Sequence, residues 1–184
     1  MVKPLGVQLY SLRELASADF SAVLKKVADI GYKYVEPAGF WNLRPSEFKK
    51  MIADLGLGLV SSHSPWARNP KVLGEVMEVA SIIGLDSVVC GYGPDDFKDM
   101  DAIKKTADNT NAMMEVLKRN GFTLYQHNHD FEFQRLDGKL KYEIYREMTP
   151  GLKYQIDCFW STNLGHEDAV EMLKIFAADT ISMH

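Results

Sequence analysis

Between Phe20 and Ile30 apolar residues return every three or four positions, at Phe20, Val23, Leu24, Val27 and Ile30, which predicts a helix with one buried face. The same spacing recurs at Val72, Val76, Val79, Ile82 and Ile83. Between such stretches the apolar residues become consecutive, as in Val88-Val89-Cys90, the pattern of short parallel strands covered on both faces. A glycine stands at each change of pattern. Ala28-Asp29-Ile30-Gly31 leads into a strand over 32–36, Ala53-Asp54-Leu55-Gly56 into 57–63, and Ser81-Ile82-Ile83-Gly84 into 85–90. Lys118-Arg119-Asn120-Gly121 leads into 122–127 and Met148-Thr149-Pro150-Gly151 into 152–157. Each glycine suits the left-handed cap of a helix that is ending.

Successive glycines lie 25, 28, 37 and 30 positions apart, about the length of one strand-plus-helix unit. With a strand over 5–10 before the first helix and another over 180–184 after the last, the pattern predicts an α/β fold with about seven strands, an incomplete (β/α)8 TIM barrel. The turn at 10–13 lacks the Gly-rich phosphate loop of an open doubly wound sheet, which sets that alternative aside. The expectation is a single domain over 1–184 that lacks the last helix and the final βα unit, about 60–80 residues at usual unit lengths. Open edges would make such a chain marginal, self-associating into a homo-oligomer, or completed by another chain. Asp137-Gly138, between alternating residues, predicts a small hairpin.

Composition narrows the classes. At 46% hydrophobic and 25% charged residues the 184-residue chain can bury a sizeable core. A net charge of −4 without basic runs argues against a nucleic-acid surface. No apolar stretch is long enough for a membrane span, and 1–13 lacks a secretory pattern. The expected location is cytoplasmic, with an export signal lost from a longer precursor as the alternative. Cys90 and Cys158 form no metal-binding pair of the CxxC kind.

In parallel barrels the chemistry sits at the C-terminal ends of the strands. Here those ends carry Gln8 and Tyr10, Glu36, His63, Cys90 and Tyr92, His127 to Asp130, Asp157 and Trp160, and His184. Four of the five histidines fall there, and His166 is the exception. Imidazoles and carboxylates together suit a divalent metal ion such as manganese, cobalt, zinc or magnesium, because neutral nitrogen donors bind while acids offset charge.

Four of these strand ends belong to longer segments: Gly6-Val7-Gln8-Leu9-Tyr10-Ser11-Leu12-Arg13-Glu14, Tyr34-Val35-Glu36, Tyr125-Gln126-His127-Asn128-His129-Asp130-Phe131-Glu132-Phe133 and Ile156-Asp157-Cys158-Phe159-Trp160. They resemble the strand signatures of the xylose isomerase-like TIM barrels, the sugar phosphate isomerase/epimerase group. The resemblance implies metal ligands at His127, Asp157 and His184. His127 departs from the epimerase pattern, which has Glu at that place. A cation there would polarise a carbonyl and stabilise an enediolate once a base removes the neighbouring proton. Glu36 and His129 are then the expected acid–base residues, and His63 and Trp160 the contacts to a small carbohydrate. The function this implies is metal-dependent isomerisation or epimerisation of a sugar or sugar-like polyol. The alternatives are a lyase or hydrolase acting on 3-keto-glycosides, in which the same chemistry expels a leaving group, and a truncated, inactive barrel.

Overall fold

The computed structural model describes residues 4–165 and 167–184, and its contacts divide the chain into two compact units. His166, set apart from the strand ends above, lies outside the described residues.

The first unit comprises 1–66 and 74–88. Its order is β1 (Gly6–Gln8), α1 (Arg13–Ala18), α2 (Phe20–Ile30), β2 (Tyr34–Glu36), α3 (Pro45–Asp54), β3 (Gly58–Leu59) and most of α4 (Leu73–Ile83). β1, β2 and β3 pair in parallel in that order, and the register sets Gln8 directly beside Glu36. Asp19 starts α2 by accepting a hydrogen bond from the Ala22 N–H at 2.9 Å, satisfying one of the amides a helix start leaves open. Phe20, Val23, Leu24 and Val27 are buried with Val35, Phe48, Ile52 and Ile83. Ile30, expected on the same face, is instead 65% exposed, because the left-handed Gly31 ends the helix before that turn can pack. In α4 the buried stripe is Leu73, Val76, Ala80 and Ile83, so Val79 and Ile82 lie at its margin. The strand expected over 57–63 is short. After Leu59 the chain leaves regular pairing, and the His63 N–H donates to the Pro37 carbonyl at 2.8 Å.

The second unit comprises 67–73 and 89–184. It takes Val89 and Cys90 from β4 (Ser87–Cys90) and continues through α5 (Met100–Arg119), β5 (Thr123–His127), β6 (Arg135–Leu136), β7 (Lys139–Leu140) and α6 (Lys141–Met148). β8 (Lys153–Ile156), α7 (Cys158–Asn163), α8 (Ala169–Phe176) and β9 (Thr180–Met183) follow. The main sheet runs β4-β5-β8-β9, while β6 and β7 form the expected hairpin, turned by Asp137 at φ 51° and Gly138 at φ 84°. Tyr142 packs at the centre of an aromatic core, its ring 4.7 Å from Phe176 and 5.3 Å from both Tyr154 and Phe133. Each buried ring of this kind contributes about 1.5–3 kcal/mol by leaving water.

Five helix-ending glycines are left-handed as the pattern required, with φ of 108° at Gly31, 68° at Gly56, 87° at Gly84, 81° at Gly121 and 93° at Gly151. Between β8 and β9 the register slips: Tyr154 stands opposite Thr180 but Gln155 stands opposite Ser182, so Ile181 is an extra residue in β9. Among the described residues no helix is long and apolar enough to cross a membrane.

Candidate metal centre and its polar surroundings

In the first unit the strand-end residues form a closed polar cluster. Glu36 is 2% exposed, and both its oxygens are engaged. Gln8 Nε2 and His63 Nε2 meet Oε1, the latter at 3.1 Å, while the Ser61 hydroxyl donates to Oε2. Gln8 is itself oriented, because its Oε1 accepts the Tyr10 N–H at 2.9 Å and so turns Nε2 toward Glu36 and His63 Nδ1, the latter 3.2 Å away. A donor facing Nδ1 leaves the imidazole proton on Nε2, directed at the carboxylate. The His63 ring also lies 4.9 Å from Trp66. Glu36 and His63 are thus brought together. Ser61, absent from the strand-end inventory, supplies a third donor; its sequence signal was only its place two residues before His63.

In the second unit β5, β8 and β9 carry His127, Asp157 and His184 to one end of the sheet. Ring centroids of His127 and His184 are 5.1 Å apart, and their ligand nitrogens lie within 4.8 Å of each other. The Asp157 Oδ2 lies 3.8 Å from His184 Nδ1. Backbone bonds fix that pair: the His184 N–H donates to the Ile156 carbonyl and the Cys158 N–H to the His184 carbonyl, both at 2.9 Å. Burial alone would raise the Asp157 carboxyl. The neighbouring His184 imidazole, the Trp160 N–H at 3.0 Å and the nearby His127 outweigh it and hold the group below its ordinary value. His127 Nδ1 meets Gln155 Oε1 at 3.0 Å. Two imidazoles and one carboxylate held as the anion thus share this end of the sheet, nitrogen and oxygen donors side by side.

His129 stands beside this group. Its ring lies 5.2 Å from His127, 5.6 Å from Trp160 and 5.8 Å from Phe131, on which it stacks. Burial lowers its readiness to take a proton, so the ring stays neutral near pH 7. Nδ1 is buried with no hydrogen-bond partner among the described residues. An unpaired buried N–H is costlier than an unpaired acceptor, which places the proton on Nε2. Glu132, past the end of β5, is fully buried. It accepts the His129 N–H at 2.9 Å and a bond from Gln126 Nε2 at 3.1 Å, and burial pushes its carboxyl up to about 8.

Cys90 and Tyr92, also at a strand end, turn to a different task. Tyr92, Thr110 and Tyr145 share hydroxyl hydrogen bonds, with Thr110 Oγ1 at 2.7 Å from the Tyr145 hydroxyl. Burial drives the Cys90 thiol up to about 12, so it is an inert part of the interior.

No family model matches the chain, and no curated protein does. Solved structures do. A sugar phosphate isomerase/epimerase from Parabacteroides distasonis superposes with TM-score 0.78 at 22% identity, covering 99% of this chain and 74% of that one. The protein described as the probable 3-DHS dehydratase AsbF from Bacillus anthracis follows at 0.71 and 11%, with 99% and 72% covered. A xylose isomerase-like TIM barrel protein from Mycobacterium smegmatis, in complex with magnesium, gives 0.67 and 14%, with 98% and 74% covered. The chain has the xylose isomerase-like TIM-barrel fold and spans part of the barrel that these structures contain. What these likenesses establish is the fold; the chemistry rests on the side chains.

Proposed function

We propose that the chain belongs to a divalent-metal-dependent isomerase or epimerase of a sugar or sugar-like polyol, working through an enediolate. The observation that carries this reading is the grouping of His127, Asp157 and His184 at one end of the second unit's sheet. The magnesium in the Mycobacterium smegmatis protein and the description of the Parabacteroides distasonis protein support it. When bound, the ion supplies a Lewis acid that polarises a carbonyl and its neighbouring hydroxyl. Asp157 offsets its charge and, through the Trp160 N–H, keeps the start of α7 in place. His129, neutral and with its proton on Nε2, donates a hydrogen bond to a substrate oxygen. Trp160 gives a flat apolar wall for the carbon face of the sugar. Within the first unit, Glu36 keeps the acid–base role and His63 the role of a substrate-contacting imidazole that its bond to Glu36 orients.

The test is direct. Protein purified without chelator is expected to hold a divalent metal by elemental analysis, and His127→Ala and Asp157→Ala to lose it, with affinity down by more than about tenfold. Interconversion of keto-sugar epimers should fall in parallel. No metal above background in the parent chain, with titrated manganese leaving it unchanged, would sink the reading. The likeness to the dehydratase favours one alternative, loss of a leaving group next to the abstracted proton. Product analysis on 3-keto-glycosides separates the two, since elimination releases the second sugar and epimerisation does not.

A further inference from the structure

We infer that Gln155 is a positioning residue that fixes His127 in the form with its proton on Nδ1, so that Nε2 carries the lone pair offered to a divalent cation. This rests on the metal-binding reading above, but the coupling between the two side chains can be measured without any metal.

The geometry starts from the sheet. His127 and Gln155 are directly opposed in the parallel ladder of β5 and β8, so their side chains leave on the same face. Both are nearly inaccessible, with 6% and 1% exposure. Gln155 Oε1 meets His127 Nδ1 at 3.0 Å. Two bare acceptors do not stay at that distance in a dry interior, so Nδ1 holds the proton and donates it. A neutral imidazole has one N–H, which makes Nε2 the donor atom for a metal. Asp157 follows Gln155 by two residues and so projects to the same side of the strand. One short segment, Gln155-Ile156-Asp157, therefore supplies both a carboxylate ligand and the group that orients the imidazole ligand from the neighbouring strand. No sequence motif marks Gln155; only the pairing register does.

The experiment uses the full chain and three variants. Gln155→Glu keeps an acceptor and removes every donor, while Gln155→Leu and Gln155→Met remove the acceptor at similar volume. Imidazole nitrogen NMR of the metal-free protein is expected to show His127 protonated on Nδ1 in the parent and in Gln155→Glu. A shift toward the Nε2-protonated form is expected in Gln155→Leu and Gln155→Met. Cobalt titration should then show affinity weakened by about 10–100-fold in the two apolar variants and retained in Gln155→Glu. Two apolar variants keep the test alive should one fail to fold. An Nε2-protonated His127 in the parent, or an unchanged tautomer in a folded apolar variant, overturns the inference. If the tautomer follows the expected pattern while no form of the protein binds cobalt, the metal reading falls and the Gln155–His127 coupling stands.

Discussion

Asn128 grips the backbone of Asp157 from both directions: its Oδ1 accepts the Asp157 N–H at 2.9 Å and its Nδ2 donates to the Asp157 carbonyl at 3.2 Å. The amide is fully buried, so nothing else replaces these bonds if it is removed. Asn128→Ala should cost about 1–3 kcal/mol for each backbone group left unpaired, seen as a lower denaturant midpoint. Asn128→Asp keeps the acceptor and loses the donor, and is expected to lie between. A loss under 0.5 kcal/mol in Asn128→Ala, roughly the size of a neutral surface change, would show that the clamp does not hold the strand end.

Glu132 gives a pH dependence with a definite sign. Its carboxyl moves from 4.5 to about 8 on burial, so the folded form keeps a proton that the unfolded chain releases. Stability is full below 4.5 and falls as the pH rises toward 8, where the buried group must ionise. Glu132→Gln removes that loss while preserving an acceptor for the His129 N–H. Melting temperatures of parent and variant should meet near pH 4.5 and separate toward pH 8, with the variant the more stable. Parallel curves would contradict this.

His129 shifts in the opposite sense. Burial lowers its proton affinity below the ordinary 6.5, so the unfolded chain binds the proton more readily. Its contribution is present above that pH and is lost as the pH falls through the lowered folded value. NMR titration should place the His129 midpoint below 6.5, and His129→Phe should lessen acid sensitivity in that range.

Ser61 tests the first unit by itself. Ser61→Ala withdraws a donor from a buried carboxylate and should destabilise the chain by about 1.5–3 kcal/mol, the usual range for a hydrogen bond to a charged group. Unaltered thermal stability would mean that the Ser61 hydroxyl is not needed to hold Glu36.

Gly165 has a steric role. A β-carbon there would sit 2.6 Å from the Ser161 carbonyl oxygen and 2.9 Å from Phe133 Cβ. Gly165→Ala should cost about 1–3 kcal/mol through forced displacement of the loop after α7, measured by thermal unfolding.

The helix-ending glycines made the fold readable from sequence, because a left-handed residue at a fixed place in every unit is a strong local signal. The ends of strands could likewise be located, and with them His127, Asp157 and His184. What stayed hidden depends on pairing across the sheet. Gln155 and Ser61 matter through the residues that stand opposite or beside them, and no local pattern states that. Glu132 depends on local folding in the same way: the short 3-10 turn over 131–133 directs its carboxylate inward to the His129 N–H. Ile30 shows the converse, a residue on the apolar spacing that the end of the helix leaves outside.

The extra residue at Ile181 sets the parity of everything that follows it in β9. Were Ile181 paired like its neighbours, Met183 would stand beside Asp157, offering a thioether where the imidazole now is. A change that drew Ile181 into regular pairing with the chain length kept would therefore bring Met183 to the carboxylate and carry His184 one position past it. One unpaired position in an edge strand thus acts as the spacer that decides which chemistry the sheet presents.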